Sequence, residues 1–257
     1  MIRLLYHILL MGLIAAAIGV WYSDHSVRAS IFDLPGKGFL YNTFKSSSIF
    51  HPSAYHKAEA EALVDAQNIS LSAKRPYFEG WYVKVVDDDG RTFAIIPGVF
   101  YGSVEAHAFV FTLDNRGIAT RTDFPLSKFH ASESKFDITI GKNRFTSNGV
   151  ELFLSEMTGK LEFRGATPWP ISFTEPGVMG WFAWLPFMEC YHGVPSLTHS
   201  VFGNLKLAGG KEAAFSGTPG YIEKDRGQQF PSAWIWMQSN DFRSDDEVSP
   251  TASIKIS

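Results

Sequence analysis

The chain has 257 residues, 45% of them hydrophobic and 15% aromatic, which suits one large β domain or two small ones. A formal net charge of -3 with no basic run argues against nucleic acid as a partner. The single cysteine, Cys190, rules out an internal disulfide and a cysteine-built zinc site, and no phosphate-cradling glycine motif is present.

Leu4 to Tyr22 is almost continuously apolar, preceded by Arg3 and followed by Ser23, Asp24 and His25. That is the length of a helix that spans a bilayer. Residues 1–25 therefore read as an uncleaved signal anchor. A cleaved signal peptide is the alternative, with Val27-Arg28-Ala29 a mediocre cleavage site. The body is then membrane-anchored by a single N-terminal helix, or secreted or periplasmic if the segment is removed. Residues 26–50, with Pro35, Gly36, Gly38 and a serine run, read as a tether. Residues 51–257 form the body. In a eukaryotic lumen, Asn68-Ile69-Ser70 offers a glycosylation acceptor.

His56 to Ala66 has helical composition, without Gly or Pro. From Phe78 onward strands dominate. Trp81 to Val86 runs into Asp87-Asp88-Asp89-Gly90, a hairpin signal, and Phe93 to Val99 is the return strand. Ala106 to Leu113 follows, closed by Asp114-Asn115-Arg116-Gly117. Phe136 to Ile140, Arg144 to Ser147, Val150 to Ser155 and Gly159 to Arg164 are short strands at barrel-like spacing. No helical stretch alternates with them, so the class is all-β.

Trp169 to Val194 is an aromatic concentration broken by Pro170, Pro176 and Pro186, so it is not a spanning helix. It reads as a lid, a membrane-dipping segment or a wrapped core loop. The last expected strands are Ser200 to Leu207, Ala213 to Thr218, Trp234 to Asn240 and Ser249 to Ile256.

Gly220-Tyr221-Ile222-Glu223-Lys224-Asp225 concentrates the chemistry. At strand period, Tyr221, Glu223 and Asp225 share one face, with Ile222 and Lys224 on the other. Trp234, Trp236, Gln238 and Asn240 likewise share a face. An apolar wall with a few fixed polar groups fits a greasy molecule with a polar head. Two ordinary strands with surface charges and core tryptophans are the bland alternative.

Tyr77-Phe78-Glu79-Gly80-Trp81-Tyr82-Val83-Lys84, Thr167-Pro168-Trp169-Pro170 and Pro186-Phe187-Met188-Glu189-Cys190-Tyr191-His192-Gly193 complete a pattern. Taken in order with the two segments above, they resemble the tocopherol cyclase family from about His51 onward. The resemblance implies tandem lipocalin-like antiparallel β-barrels, the second incomplete, behind an N-terminal apolar helix. It also implies protonation of an alkene on a prenylated hydroquinone and ring closure by its hydroxyl. The expected partner is a hydrophobic small molecule, a prenyl quinol or another isoprenoid. No metal and no redox cofactor are expected, because nothing is oxidised. One departure is Arg226, where the family usually has tryptophan. A guanidinium there either pairs with a carboxylate or points to solvent.

Protonating an alkene needs a carboxylic acid kept protonated by burial, and aromatic faces for the cation. Candidates are Asp225 first and Glu223 second, on their place in the motif, then Glu79 and Glu189. Glu79 has a structural alternative, pairing with Lys84 or Arg75. His192 is the candidate to deprotonate or orient the phenol. Tyr82, Tyr191 and Tyr221 are candidates to hold the head, with Glu189, Gln238 and Asn240. Trp81, Trp181, Trp184, Trp234 and Trp236 are candidates to line the tail channel, with core packing as the alternative. Cys190, among Phe and Met, reads as a buried inert thiol. A non-enzymatic lipid carrier and an alkene hydratase remain the rival functions, since one scaffold hosts all three.

Overall fold

Strict alternation builds the first hairpin. In β1 (Tyr77–Val86), Tyr77, Glu79, Trp81, Val83 and Val85 are buried and their neighbours are only partly covered. The turn into β2 (Thr92–Tyr101) is held by Asp87. Its carboxylate accepts from the Asp89 and Arg91 backbone N–H groups at 3.1 and 2.7 Å. Gly90 supplies the positive φ of 78°. Asp114 closes the turn after β3 (Ala106–Leu113) in the same way, accepting from the N–H groups of Arg116 and Ile118.

The computed structural model describes residues 52–58, 60–61, 76–102, 105–172, 177–185, 188–230, 232–233 and 235–239. The remaining strands are β4 (Ala119–Pro125), β5 (Phe129–Ala131), β6 (Asp137–Ile140), β7 (Asn143–Thr146), β8 (Gly149–Phe153), β9 (Met157–Thr167), β10 (Cys190–Leu207) and β11 (Glu212–Gly227). All eleven form one antiparallel sheet, ordered β4-β3-β2-β1-β11-β10-β9-β8-β7-β6-β5. β11 returns to pair with β1, so the sheet curls. Its two end strands are consecutive in the chain, joined only by a 3-10 turn at Leu126–Lys128. Phe124 of β4 packs on Gly141 beside β6. The result is a single, nearly closed barrel around one core. Each fully buried large apolar side chain in it, such as Phe93, Phe145 or Leu161, contributes roughly 1.5–3 kcal/mol.

Three expectations are corrected. The strands assigned to a second barrel join the first sheet, because β10 and β11, 18 and 16 residues long, reach back to both β9 and β1. β10 begins at Cys190, inside the segment read as a lid or loop. Register shifts on either side of Ser196 absorb Pro195. Residues 235–239 are irregular rather than a strand. β4 is an addition. It buries no residue completely, so no apolar alternation announces it.

Among the described residues no helix is long and apolar enough to cross a membrane. The expected anchor 1–25, the tether 26–50, Asn68 and the strand Ser249 to Ile256 lie outside the described residues. Of the helix expected at His56 to Ala66, Lys57, Ala58, Ala60 and Glu61 are helical, and residues 62–66 lie outside the described residues.

Candidate functional site

The barrel wall made by β1, β11 and β10 carries polar residues on both sides. The register sets Tyr82 opposite Glu223 and Lys84 opposite Tyr221, and His192 opposite Asp225. These six residues share the outer face. Trp81 is opposite Lys224, and Glu79 opposite Arg226, on the inner face.

On the outer face, His192 Nδ1 and Asp225 Oδ1 are 2.8 Å apart. His192 Nε2 then points toward Glu223, 3.9 Å from its Oε2. The Tyr221 hydroxyl and the Trp236 indole N–H both donate to that same oxygen, at 2.8 and 3.0 Å. A proton on the Glu223 carboxyl therefore sits on Oε1. Burial raises the Glu223 pKa, and the donors and the His192 charge only partly offset it. For His192, burial alone would lower the pKa. The Asp225 hydrogen bond and charge, helped by Glu223, outweigh it and raise it. Both shifts favour the protonated form of each group, and the two titrate as an interacting pair.

One irregular segment covers this face, and a second packs against the start of β10. Along the outer side of β1, Phe230 stacks on Phe78 at 4.8 Å and Trp236 meets Tyr82 edge-on at 5.6 Å. Lys84 Nζ donates to Gln238 Oε1 at 2.7 Å. On the other flank, the His192 backbone N–H donates to Met179 Sδ, and the Tyr191 hydroxyl donates to the Leu185 carbonyl. A 3-10 turn, Gly180–Trp184, links these two contacts. Trp181 and Phe182 stack on each other and are largely exposed.

The inner face holds a different cluster. Lys224 Nζ donates to Glu79 and to the Ala54 carbonyl, and lies 2.8 Å from His56 Nδ1, which is itself 3.0 Å from Glu79 Oε1. Glu79 also accepts from the His56 backbone N–H and, at 2.8 Å, from the Tyr77 hydroxyl. Burial alone would raise the Glu79 pKa, but the Lys224 charge and the His56 hydrogen bond hold it down at about 2. Burial and Lys224 together push His56 down to about 4. Trp81 is fully buried here, donates to the Ser53 carbonyl at 2.8 Å and stacks on Phe136. The structural alternative for Glu79 thus has its partner in Lys224 rather than Lys84 or Arg75. An ionised carboxylate in this setting is not a proton donor.

The remaining candidates scatter. Glu189 is exposed and accepts from the Gln229 amide at 2.6 Å. The Arg226 guanidinium is nearly buried over the Tyr191 ring, 4.2 Å from its centroid, not in solvent. Burial, then the Asp225 charge and hydrogen bond, push the Cys190 thiol up to about 12, so it is not a nucleophile. Trp234 and Asn240 lie outside the described residues. Sequence reasoning missed Lys84 and His56 as members of these clusters. Strand alternation from Trp81 signals that Lys84 faces with Tyr82. Nothing local marks His56. Among the described residues no group of three or more His, Cys, Asp or Glu side chains is arranged to hold a metal ion.

Residues 158–255, less than half of the chain, match a family model described as tocopherol cyclase-like. No curated protein matches the chain. Solved structures similar to it include a protein assigned as AttH from Nitrosomonas europaea, at 10% identity and a TM-score of 0.39, covering 61% of this chain and 52% of that one. CghA with Sch210972 is 12% identical with a TM-score of 0.39, covering 60% and 46%. Kievitone hydratase from Nectria haematococca is 10% identical with a TM-score of 0.35, covering 59% and 47%. The chain thus spans about half the length of the solved proteins it resembles.

Proposed function

We propose, taking the tocopherol cyclase-like match over residues 158–255 as premise, that the chain catalyses acid-driven ring closure of a prenylated hydroquinone or similar isoprenoid. The observation that carries this is the buried Glu223 carboxyl with a raised pKa, beside a histidine that Asp225 orients and beneath an indole. Glu223 Oε1 gives its proton to one alkene carbon, and the other becomes a tertiary cation. The ring hydroxyl attacks that carbon and its proton passes to His192 Nε2. The imidazolium returns the proton to Glu223, so the reaction is an isomerisation and consumes nothing. Tyr82 and Trp236 offer π faces to the cation. The order of the two acid candidates is thereby reversed: Glu223 is the acid and Asp225 the residue that positions His192. General acid catalysis of this kind is worth about 10²–10⁴-fold. The apolar run Leu4 to Tyr22 would hold the site at a membrane, where such substrates dissolve. Recovery of the intact chain in the soluble fraction of a detergent-free lysate would overturn that placement.

The test is turnover of a geranylated hydroquinone by the full chain in detergent. Chromanol from wild type, with a loss of about 10²-fold or more in Glu223→Gln, supports the reading. A hydrated, uncyclised product would make the chain an alkene hydratase. Tight binding without any product would make it a carrier, the reading that removes Glu223 as acid.

A further inference from the structure

Lys84 is unlike the other lysine of this wall. Lys224 meets Glu79 inside the barrel. Lys84 is half-buried on the outer face, and its recorded partner is the neutral Gln238 amide at 2.7 Å. Burial lowers its pKa, and among the described residues no carboxylate forms an ion pair with it. An ammonium has three donors. One is engaged by Gln238, whose amide N–H groups are left as further donors because its oxygen is taken.

The position of this cation relates it to the acid. Tyr82 faces Glu223 and Lys84 faces Tyr221 across the β1–β11 register. Two residues along a strand span about 7 Å. That matches the distance from a prenyl alkene across an aromatic ring to a substituent on its far side. The same irregular segment touches both ends, through Trp236 on Glu223 and Gln238 on Lys84. A substrate lying under it with its alkene at Glu223 has its ring at Tyr82 and its far substituent at Lys84.

We infer that Lys84 and Gln238 form an anion subsite for a carboxylate on the head of the substrate, which makes the substrate class a prenylated aromatic acid. The inference rests on the proposed function for where the substrate lies, and not for what happens to it. Glu223, buried with a raised pKa, repels a carboxylate less than a carboxyl of ordinary pKa does, so the two groups are compatible on one face.

The experiment is calorimetric binding of two probes, 3-geranyl-4-hydroxybenzoate and geranylhydroquinone, to the full chain in neutral detergent. Wild type should prefer the benzoate by about tenfold, the equivalent of one charge-assisted contact. Lys84→Met should abolish the preference and leave hydroquinone affinity within about twofold. Lys84→Arg, which keeps the charge, should retain it, and unchanged hydroquinone binding shows that the variants fold. Equal affinities in wild type, or a preference that survives Lys84→Met, overturns the subsite. Hydroquinone turnover without any benzoate preference retires the subsite alone. A benzoate preference with turnover of neither probe retires the acid reading alone.

Discussion

Glu223 and Lys224 are consecutive residues that face opposite sides of one barrel wall. Glu223 points outward beneath Trp236, and Lys224 points inward onto Glu79. The same short motif therefore builds both a candidate acid and a buried ion pair, and the two are separately testable.

Removing Lys224 leaves Glu79 buried and unpaired. Lys224→Met is expected to cost about 3–5 kcal/mol in urea unfolding. The double variant Lys224→Met with Glu79→Gln should recover part of that loss, because the uncompensated charge is gone. A double variant as unstable as the single one would mean that the ion pair does not carry the effect.

The inner cluster also sets acid stability. His56 is held near 4, below the ordinary value of 6.5, so the unfolded chain binds more protons than the native one as pH falls. Its contribution is lost from 6.5 down to about 4. Glu79 is lowered from 4.5 to about 2, and its contribution disappears between those values. These two groups pull the midpoint of urea unfolding down as pH falls over this range. A His56→Gln chain should lose the upper part of the decline and keep the lower part.

Glu223 gives the opposite slope. Its raised pKa means that the native state holds a proton the unfolded state has released. The stability this gives is present below the ordinary carboxylate value and lost as pH rises through the native one. Glu223→Gln should therefore gain stability relative to wild type on the alkaline side while losing turnover. Parallel thermal melts at acid and alkaline pH measure it; a difference that does not change with pH contradicts the raised pKa.

Asp225 acts through His192. The Asp225→Asn variant removes the charge that outweighs burial, so the His192 pKa should fall below its wild-type value. An NMR titration of the imidazole reads this directly. Turnover should drop with it, and its pH profile should shift rather than simply scale down.

Gly220 is required by a neighbouring ring. A Cβ there would come within 2.2 Å of His199 Nε2. His199 is fixed by Ser196, whose oxygen lies 2.9 Å from its Nδ1, and the ring packs on Phe163. Gly220→Ala should cost about 1–3 kcal/mol of stability. Adding His199→Ala should make the two effects less than additive in the same unfolding assay.

Several features of the fold were legible in the sequence because they are local. The hairpin at Asp87 to Gly90 follows from a side chain that caps its own turn. The two faces of the Tyr221 to Asp225 segment follow from the strand period. β4 was not legible, since Thr120, Thr122 and Phe124 are only partly covered and charged residues lie between them. Nor was the irregular course of residues 235–239, where alternating Trp236 and Gln238 imitate a strand yet reach Glu223 and Lys84 from a loop.

The sequence by itself determined an all-β chain, the resemblance carried by its motifs, and which residues alternate from face to face. Backbone geometry alone dictates these, through a period of two. Only the tertiary structure decided that one barrel, not two, uses the long strands, that Glu79 is an ionised partner of Lys224, and that Glu223 is the carboxyl whose pKa burial raises. A pKa depends on burial and on charges brought close by distant segments: His192 lies 31 residues before Glu223, and Trp236 13 residues after it. No local pattern encodes which of these neighbours will arrive.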